Sequence, residues 1–446
     1  MATAQRFFDP FFSSKHQTPT IVDDGPSKFN GSVQCVSPLL PNKGEVFPVE
    51  GQGTVAARAT VKNLLNFIIN TDSKSDPSLQ LSIGREEVLF FAKTQEQSLE
   101  QISIPFKYLK TEDACWINSK KPTTYWLSID TENGILRYGK YYTNKSMTLL
   151  EAVLKRKDDT GVYVWEDPKS FDWLERVTTA QVTQDDGTQL DDDDVKIWPL
   201  PVMMDLSPFV VPGDEITLTQ LENGTYTVPA NLPESCQRLY GNVAGKKILL
   251  DDDDFPDFSK AIERSCVTEN CWAYQTLAKK AQEFGEKPNL ECTYLRITLG
   301  YNTGDSPGVP YVLEIWPSGH YSPIHDHGNA CAVIKVLHGD IHASFYDNLD
   351  SPKLINTASL KKGDITWIGP NNYQIHKLHN ETKGICCTIQ CYRYEDQDDV
   401  HYDGFNYTGD DGEVHKFEPN SDKAFGEFRE LMRKEWNSRE AVNGHT

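Results

Sequence analysis

Residues 320–340, HYSPIHDHGNACAVIKVLHGD, hold four of the eleven histidines in this 446-residue chain, and ten of the eleven lie from His320 onward. Histidines that serve only as surface residues would be scattered along the chain. The clustering therefore indicates that imidazoles meet in the folded protein, most often around a metal ion. Alternate residues of a strand face the same side, so His325 and His327 share one face and Asp326 takes the other.

A second block, GDITWIGPNNYQIHKLHN at residues 363–380, supplies one more candidate ligand, His376, in a strand-like setting. Gly369 and Pro370 predict a turn, and His376 begins the strand that follows it. From residue 291 to residue 395 the chain consists of short strand-like runs separated by Gly, Pro and Asn, which is typical of a small β-barrel. The predicted metal ligands are His325, His327 and His376.

These two blocks read Gly-x5-His-x-His and Gly-turn-His-x3-Asn, and they resemble the two motifs of the cupin superfamily. The resemblance implies a mainly β fold with a C-terminal cupin, a small β-barrel or jelly roll with flanking helices. Most cupins add a glutamate four residues after the second histidine, where this chain has Cys331. The predicted site therefore has three neutral imidazoles and no protein carboxylate. A divalent ion in it keeps its full +2 charge and favours an anionic ligand such as a thiolate.

A cupin with three histidine ligands is similar to the cysteine dioxygenase family, and further motifs strengthen the resemblance. TYLRI supplies Tyr294 and Arg296, resembling the family's Tyr-x-Arg, and CTIQCYRY supplies Tyr392 at the end of a strand that resembles Ser-x-His-x-Tyr. The resemblance implies an Fe(II) cofactor, a small thiol such as cysteine and O2 as substrates, and a sulfinic acid as product. It assigns the substrate carboxylate to Arg296 and a hydrogen-bonding role to Tyr392, with help from Tyr294.

Two positions depart from that family's pattern. Gln390 stands where the family has a histidine, which would alter the hydrogen bond to Tyr392. Animal members cross-link a cysteine to this tyrosine, and the corresponding position here is Ala332. Cys331 lies one residue away and therefore on the opposite face of a strand. We predict that no thioether joins Cys331 to Tyr392.

The residues alone leave other interpretations open. One is a cupin that uses nickel, manganese or zinc for a lyase or isomerase reaction. Another is a non-catalytic, metal-binding cupin whose N-terminal domain holds a protein partner. Arg296 could also form only a salt bridge, and Tyr294 and Tyr392 could be core tyrosines whose hydroxyl groups are hydrogen-bonded.

The remainder of the chain is mostly strand-like before residue 175. TYWLSIDTENGILRYGKYY, at residues 124–142, predicts a hairpin around Asn-Gly, which tolerates positive φ. The acidic runs Asp191–Asp194 and Asp251–Asp254 lack the alternation of a calcium loop and predict solvated linker. Helices are predicted over residues 257–284 and 421–436. The predicted organisation is a loose arm at residues 1–50, a β-sandwich domain at 51–175, an acidic linker region at 176–254 and the cupin domain at 255–446.

Composition restricts the partners. The net charge of −21 argues against nucleic acid and against an anionic membrane surface, both of which need a basic face. No apolar run is long enough for a signal sequence or a membrane helix. The ten cysteines contain no CxxC and suggest no disulfide framework, so a reduced, cytoplasmic protein is expected. The expected partners are a small thiol and O2, together with a possible protein partner of the N-terminal domain.

Overall fold

The computed structural model describes residues 45–71, 77–93, 101–185, 187–191, 194–285, 287–299, 311–395 and 404–443. The chain divides into two compact units between Asp205 and Leu206, and each unit has its own hydrophobic core. The loose arm predicted at residues 1–50 lies almost entirely outside the described residues. None of the described helices is both long and apolar enough to cross a lipid bilayer.

The N-terminal unit is a sandwich of two antiparallel sheets. Alternation along the strands sends every second side chain into one shared core, for example Phe67 and Leu81 from one sheet and Leu127 and Tyr138 from the other. Its strands are β1 (Glu45–Val46), β2 (Gln52–Ala59), β3 (Leu65–Asn70), β4 (Ser78–Ile83), β5 (Val88–Lys93), β6 (Gln101–Ser103), β7 (Lys107–Tyr108), β8 (Thr123–Asp130), β9 (Ile135–Lys140), β10 (Thr148–Val153), β11 (Lys155–Lys157), β12 (Tyr163–Trp165), β13 (Thr179–Gln184), β14 (Thr188–Gln189) and β15 (Val195–Trp198).

Among these strands, one sheet has the order β1-β13-β3-β4-β5-β6, with β14 paired to β13, and the other has the order β15-β2-β8-β9-β10-β7. The predicted hairpin is formed by β8 and β9, whose ends pair Asp130 with Ile135. Gly134 in the turn has φ +66°, a conformation that favours glycine. The Asp130 carboxylate accepts hydrogen bonds from the backbone and side chain of Asn133. Two single-turn helices, α1 (Glu112–Cys115) and α2 (Pro168–Phe171), complete the unit.

The C-terminal unit combines two mainly antiparallel layers with flanking helices, and the short edge strand Lys423–Ala424 is the one described strand that pairs in parallel. The helices are α3 (Leu218–Asn223), α4 (Glu234–Val243), α5 (Phe258–Val267), α6 (Trp272–Lys280) and α7 (Phe425–Asn443). The strands are β16 (Leu295–Leu299), β17 (Tyr311–Trp316), β18 (Ile324–His325), β19 (Cys331–His338), β20 (Ile341–Tyr346), β21 (Leu354–Leu360), β22 (Ile365–Ile368), β23 (Ile375–His379), β24 (Cys386–Arg393), β25 (Phe405–Thr408), β26 (Val414–Phe417) and β27 (Lys423–Ala424).

One layer has the strand order β22-β19-β24-β17-β16-β27 and the other β21-β20-β23-β18-β25-β26. From β17 to β20, and again from β21 to β25, consecutive strands alternate between the layers. Buried side chains from both layers, such as Trp316 and Phe345, belong to one hydrophobic cluster. This is a jelly-roll arrangement, and the predicted fold class is confirmed. Within the described strands, no hydrogen-bonded ladder closes the two layers into one barrel.

The predicted domain boundaries differ from this division. Residues 176–205 belong to the sandwich, because β13 pairs with β3 along six residues and β15 pairs with β2 along four. Residues 206–254 belong to the C-terminal unit. The Val210 amide donates to the Ile365 carbonyl at 2.9 Å, and the Trp367 indole donates to the Ser207 carbonyl at 2.9 Å. Residues 176–254 are therefore not a linker, since their backbone N–H and C=O groups pair with strands of the unit to which each segment belongs.

The second acidic run is also not solvated linker. Asp251 accepts the Ser259 amide at 2.7 Å in the first turn of α5. Asp252 pairs with Arg429 of α7 at 2.5 Å, and Asp254 pairs with Arg433 at 2.7 Å. The run thus joins α5 to α7. Of the first run, Asp192 and Asp193 lie outside the described residues.

The predicted helices exist with different bounds. The helix expected over residues 257–284 is divided into α5 and α6, and the closing helix α7 extends to Asn443. Phe428 and Met432, four residues apart on one face of α7, are fully buried.

Candidate metal centre

The three predicted ligands come together on one layer of the jelly roll. His325 on β18 lies directly opposite His376 on β23 in the antiparallel register. His327 follows two residues after His325. Asp326 points the other way, as predicted, and its carboxylate accepts the backbone and side-chain N–H groups of Asn406, both at 2.9 Å. Those bonds fix the short segment that carries both histidines to β25.

The three imidazoles form a buried cluster. Their potential ligand nitrogens all lie within 4.8 Å of one another, and Nε2 of His327 lies 3.3 Å from Nε2 of His376. The three residues are 3–5% exposed. Two nitrogens bound to one ion at about 2.1 Å, with about 90–110° between the bonds, lie about 3.0–3.4 Å apart. The observed separation therefore suits two ligands of one cation.

Backbone carbonyls select the tautomer of two of the rings. Nδ1 of His325 lies 3.0 Å from the carbonyl oxygen of Pro323, and Nδ1 of His376 lies 3.1 Å from that of Tyr373. A carbonyl oxygen can only accept, so each Nδ1 carries the proton and each Nε2 presents its lone pair to the centre of the cluster. Nδ1 of His327 has no hydrogen-bond partner within the described part of the chain.

Burial keeps the rings neutral. It lowers the pKa of His325 to about 4 and that of His376 to about 3, and it lowers the pKa of His327 well below its usual value. Neighbouring imidazoles lower the pKa values of His327 and His376 further. A neutral imidazole is the form that binds metals, so a metal needs to displace no proton near neutral pH.

The residues present fit a transition metal. Imidazole nitrogen suits zinc, copper, iron and nickel. Among the described residues no carboxylate or thiolate joins the three histidines as a fourth ligand. Aromatic side chains surround the cluster, with ring centroids 4.7 Å apart for Phe405 and His327 and 6.1 Å apart for Phe417 and His325. Their apolar surface limits the access of water to the ligands.

The strand register decides which residue of β19 faces the site. On β19, Cys331 pairs with Arg393 and Ala332 pairs with Tyr392 of β24. Tyr392 stacks beside His327 with ring centroids 5.6 Å apart, so the face that carries Ala332 is the site face. Ala332, and not Cys331, is therefore the residue of β19 that lies on the site face. Alanine offers no carboxylate, so the expected ligand set is unchanged.

Arg296 has a partner that the sequence analysis missed. It lies on β16 directly opposite Glu314 on β17, and its Nη1 donates to Glu314 Oε1 at 2.6 Å. Both side chains are buried. The signal for this pair was the lone acidic residue in the apolar strand YVLEIW, since a buried carboxylate requires a partner.

The ion pair continues toward the predicted tyrosines. Glu314 Oε2 accepts a hydrogen bond from Gln390, and the Tyr392 hydroxyl donates to Oε1 of Gln390. Tyr392 and Tyr294 both lie close to Arg296. Tyr294 also stacks on Trp316, with ring centroids 4.2 Å apart. The three residues predicted for catalysis are thus joined in one buried network.

The other described histidines lie outside the cluster. His320 is buried, and its Nδ1 lies 2.9 Å from the Thr293 carbonyl. His379 pairs with Glu381 at 3.3 Å, and His342 contacts Ser359. Among the described residues, only the three predicted histidines could therefore bind a metal ion at this cluster.

Comparison with known proteins supports no specific family. No protein-family model matches the chain. Similar solved structures include an oxalate oxidase (22% identity, 20% of this chain and 42% of that one, TM-score 0.18), the Schizosaccharomyces pombe Cnp3 cupin domain (13%, 23% and 65%, 0.19) and a putative sugar phosphate isomerase from Acidithiobacillus ferrooxidans (18%, 29% and 79%, 0.21). The chain spans about two fifths of the length of the oxalate oxidase. Membership of the cysteine dioxygenase family stays a prediction.

Proposed function

We propose that the C-terminal unit is an Fe(II)-dependent thiol dioxygenase that converts a small thiol and O2 into a sulfinic acid. One observation carries the proposal. Three neutral imidazoles meet at one point, and no carboxylate within the described residues completes the set. A divalent cation held there keeps its full charge and attracts an anionic ligand, and thiolate sulfur is a good ligand for iron.

The chain's own residues would prepare the site in two ways. The carbonyls of Pro323 and Tyr373 orient the rings of His325 and His376 so that their lone pairs converge. Tyr392 lies beside His327 and holds its hydroxyl hydrogen toward Gln390. Bound iron would supply the redox chemistry that activates O2.

The proposed reaction is balanced without another reductant. The thiol RSH and one O2 give RSO2H, in which both oxygen atoms are bonded to sulfur. Sulfur loses four electrons and O2 gains four. The reaction therefore needs no electron carrier, and no site for one is invoked.

The test measures metal content, oxygen uptake and product together. Protein purified without added metal is analysed for bound metals, then loaded with Fe(II) and mixed with a panel of small thiols in an oxygen electrode. We expect one iron per chain and one O2 consumed for each sulfinate detected by mass spectrometry. Zinc-loaded protein is the control, because zinc binds imidazole but has no redox chemistry. Iron-loaded protein that yields no sulfinate from any thiol would refute the proposal, and stoichiometric nickel, manganese or zinc after purification would favour a lyase or isomerase.

A further inference from the structure

Glu314 already forms an ion pair with the Arg296 guanidinium, the cation that a substrate carboxylate would need. It lies directly opposite Arg296 in the strand register, and the two side chains are 4% and 10% exposed. Both of its oxygens are engaged, Oε1 by Arg296 and Oε2 by Gln390. The charge of the guanidinium is therefore already neutralised inside the protein.

This ion pair belongs to the same interior as the histidine cluster. Gln390 links Glu314 to the Tyr392 hydroxyl, and the Tyr392 ring lies 5.6 Å from that of His327. A molecule bound at the cluster would therefore meet the ion pair and not a free arginine.

A substrate carboxylate at Arg296 would either share the guanidinium with Glu314 or displace Glu314, because Nη1 of Arg296 already donates to Glu314 Oε1. Sharing places two buried carboxylates beside a single cation, and displacement leaves the Glu314 carboxylate buried without its cation. An unpaired buried charge is strongly unfavourable. A thiol without a carboxylate avoids this cost, because the ion pair stays intact while sulfur binds the metal.

We propose that the site selects small thiols that lack a carboxylate, because Glu314 holds Arg296. The inference rests on the proposed thiol dioxygenase function. It assigns Arg296 and Glu314 together as a specificity-determining pair, in place of an arginine that anchors the substrate.

The test uses thiols that differ in the carboxylate. Cysteine is compared with 2-aminoethanethiol, and 3-mercaptopropionate with 3-mercaptopropanol, on the iron-loaded full-length chain. Anaerobic titration gives Kd and aerobic assay gives kcat/KM for sulfinate formation. We expect the thiol without a carboxylate to be favoured by at least about tenfold in each pair, as is common when binding would leave a buried polar group unpaired.

Glu314→Gln removes the competing charge and keeps the shape of the side chain. The variant should shift the preference toward 3-mercaptopropionate by at least about tenfold relative to wild type. The same thiol should raise the Tm of Glu314→Gln, while 3-mercaptopropanol should not. Glu222→Gln, which removes the same charge from an exposed position on α3, is the matched control and should behave like wild type.

The outcomes separate the two ideas. Sulfinate formation with a wild-type preference for the carboxylated thiols would overturn the inference and leave the dioxygenase function standing. Failure of every thiol to bind or react would overturn both. The wild-type comparison gives a result even where Glu314→Gln does not fold.

Discussion

His327 is held differently from the other two imidazoles. Carbonyl groups fix the rings of His325 and His376, whereas the His327 ring lies between His376 and Phe405, with centroids 4.9 and 4.7 Å away. Its backbone N–H donates to the Gln374 side chain at 2.8 Å, which fixes the chain but not the ring. Its orientation therefore depends on packing, and a bound cation would be the strongest polar contact that this ring makes.

Loss of a ligand should release the metal. His376→Ala removes an Nε2 that has no substitute among the described side chains, so metal affinity should fall by about 100-fold or more. His379→Ala removes a histidine three residues along the same strand and should leave the affinity unchanged. Equilibrium dialysis followed by elemental analysis measures both. Full metal occupancy in His376→Ala would contradict the assignment of the site.

The buried imidazoles should also make the metal-free protein sensitive to acid. Their pKa values of about 4 for His325 and about 3 for His376 lie below the value of about 6.5 expected in the unfolded chain. Between about pH 4 and 6.5 the unfolded chain therefore binds more protons than the folded protein. The free energy of unfolding falls as the pH is lowered through this range, by roughly 3 kcal/mol for His325 alone.

Urea unfolding of metal-free protein at several pH values between 4.5 and 7.5 measures this slope. Because carboxylates titrate in the same range, the comparison is between variants. His325→Asn should have a shallower pH dependence than wild type, and His379→Asn should match wild type. Equal slopes in all three proteins would show that the buried rings do not drive acid sensitivity.

Residue-level prediction succeeds where the signal is local. His325 and His327 are two residues apart in a stretch with clear turn residues, and the alternation of a strand places them on one face. The pairing of Arg296 with Glu314 depends instead on which strands become neighbours. That register is not encoded in either short segment, so only the unusual carboxylate in an apolar run pointed to it.

At the scale of elements, the register between β19 and β24 decides which side chains can approach Tyr392. Ala332 lies directly opposite Tyr392, and Cys331 lies on the other face, where it is close to Cys236 of α4. Directly opposed residues of antiparallel strands have Cβ atoms about 4.5–5.5 Å apart. A thiol introduced at position 332 would therefore lie beside the tyrosine ring.

Ala332→Cys should form a thioether with Tyr392 when iron-loaded protein turns over a thiol in the presence of O2. The cross-link joins sulfur to a ring carbon with loss of two hydrogen atoms to O2. The intact mass should therefore fall by about 2 Da, and peptide mapping should locate this change at position 332 of the variant and Tyr392. Wild type, with Cys331 facing α4, should show no such change, and Ala332→Cys/Tyr392→Phe should lose it. A cross-link to Cys331 in wild type would contradict the register.

Elements were predictable to the extent that they depend on neighbouring residues. The hairpin of β8 and β9 follows from one Asn-Gly turn with alternating apolar residues on either side. By contrast, β13 pairs with β3, which lies more than a hundred residues earlier, and the Asp251–Asp254 run meets arginines of α7 from the end of the chain. Such long-range pairings leave no local pattern, so these segments were predicted to be linker.

For the whole molecule, the chain forms two units, each with its own hydrophobic core. The three histidines of the candidate metal centre all belong to residues 206–446. The protein partner predicted for the sandwich stays a prediction. If the sandwich serves only to bind a protein partner, changes in the sandwich that abolish the pull-down of that partner should leave the metal content of the protein unchanged.

The position of the boundary gives a sharper test. Residues 206–254 supply α4 and a segment that hydrogen-bonds to β22, and they cover Trp367, which is fully buried. A fragment of residues 206–446 should bind one metal ion and unfold cooperatively. A fragment that begins at the predicted boundary, residue 255, uncovers that surface and should be destabilised by at least about 3 kcal/mol, with loss of metal or aggregation. Urea titration and metal analysis of the two fragments compare them directly. Equal free energies of unfolding would mean that residues 206–254 do not stabilise the C-terminal unit. The division of the chain after Asp205 would then have no energetic basis.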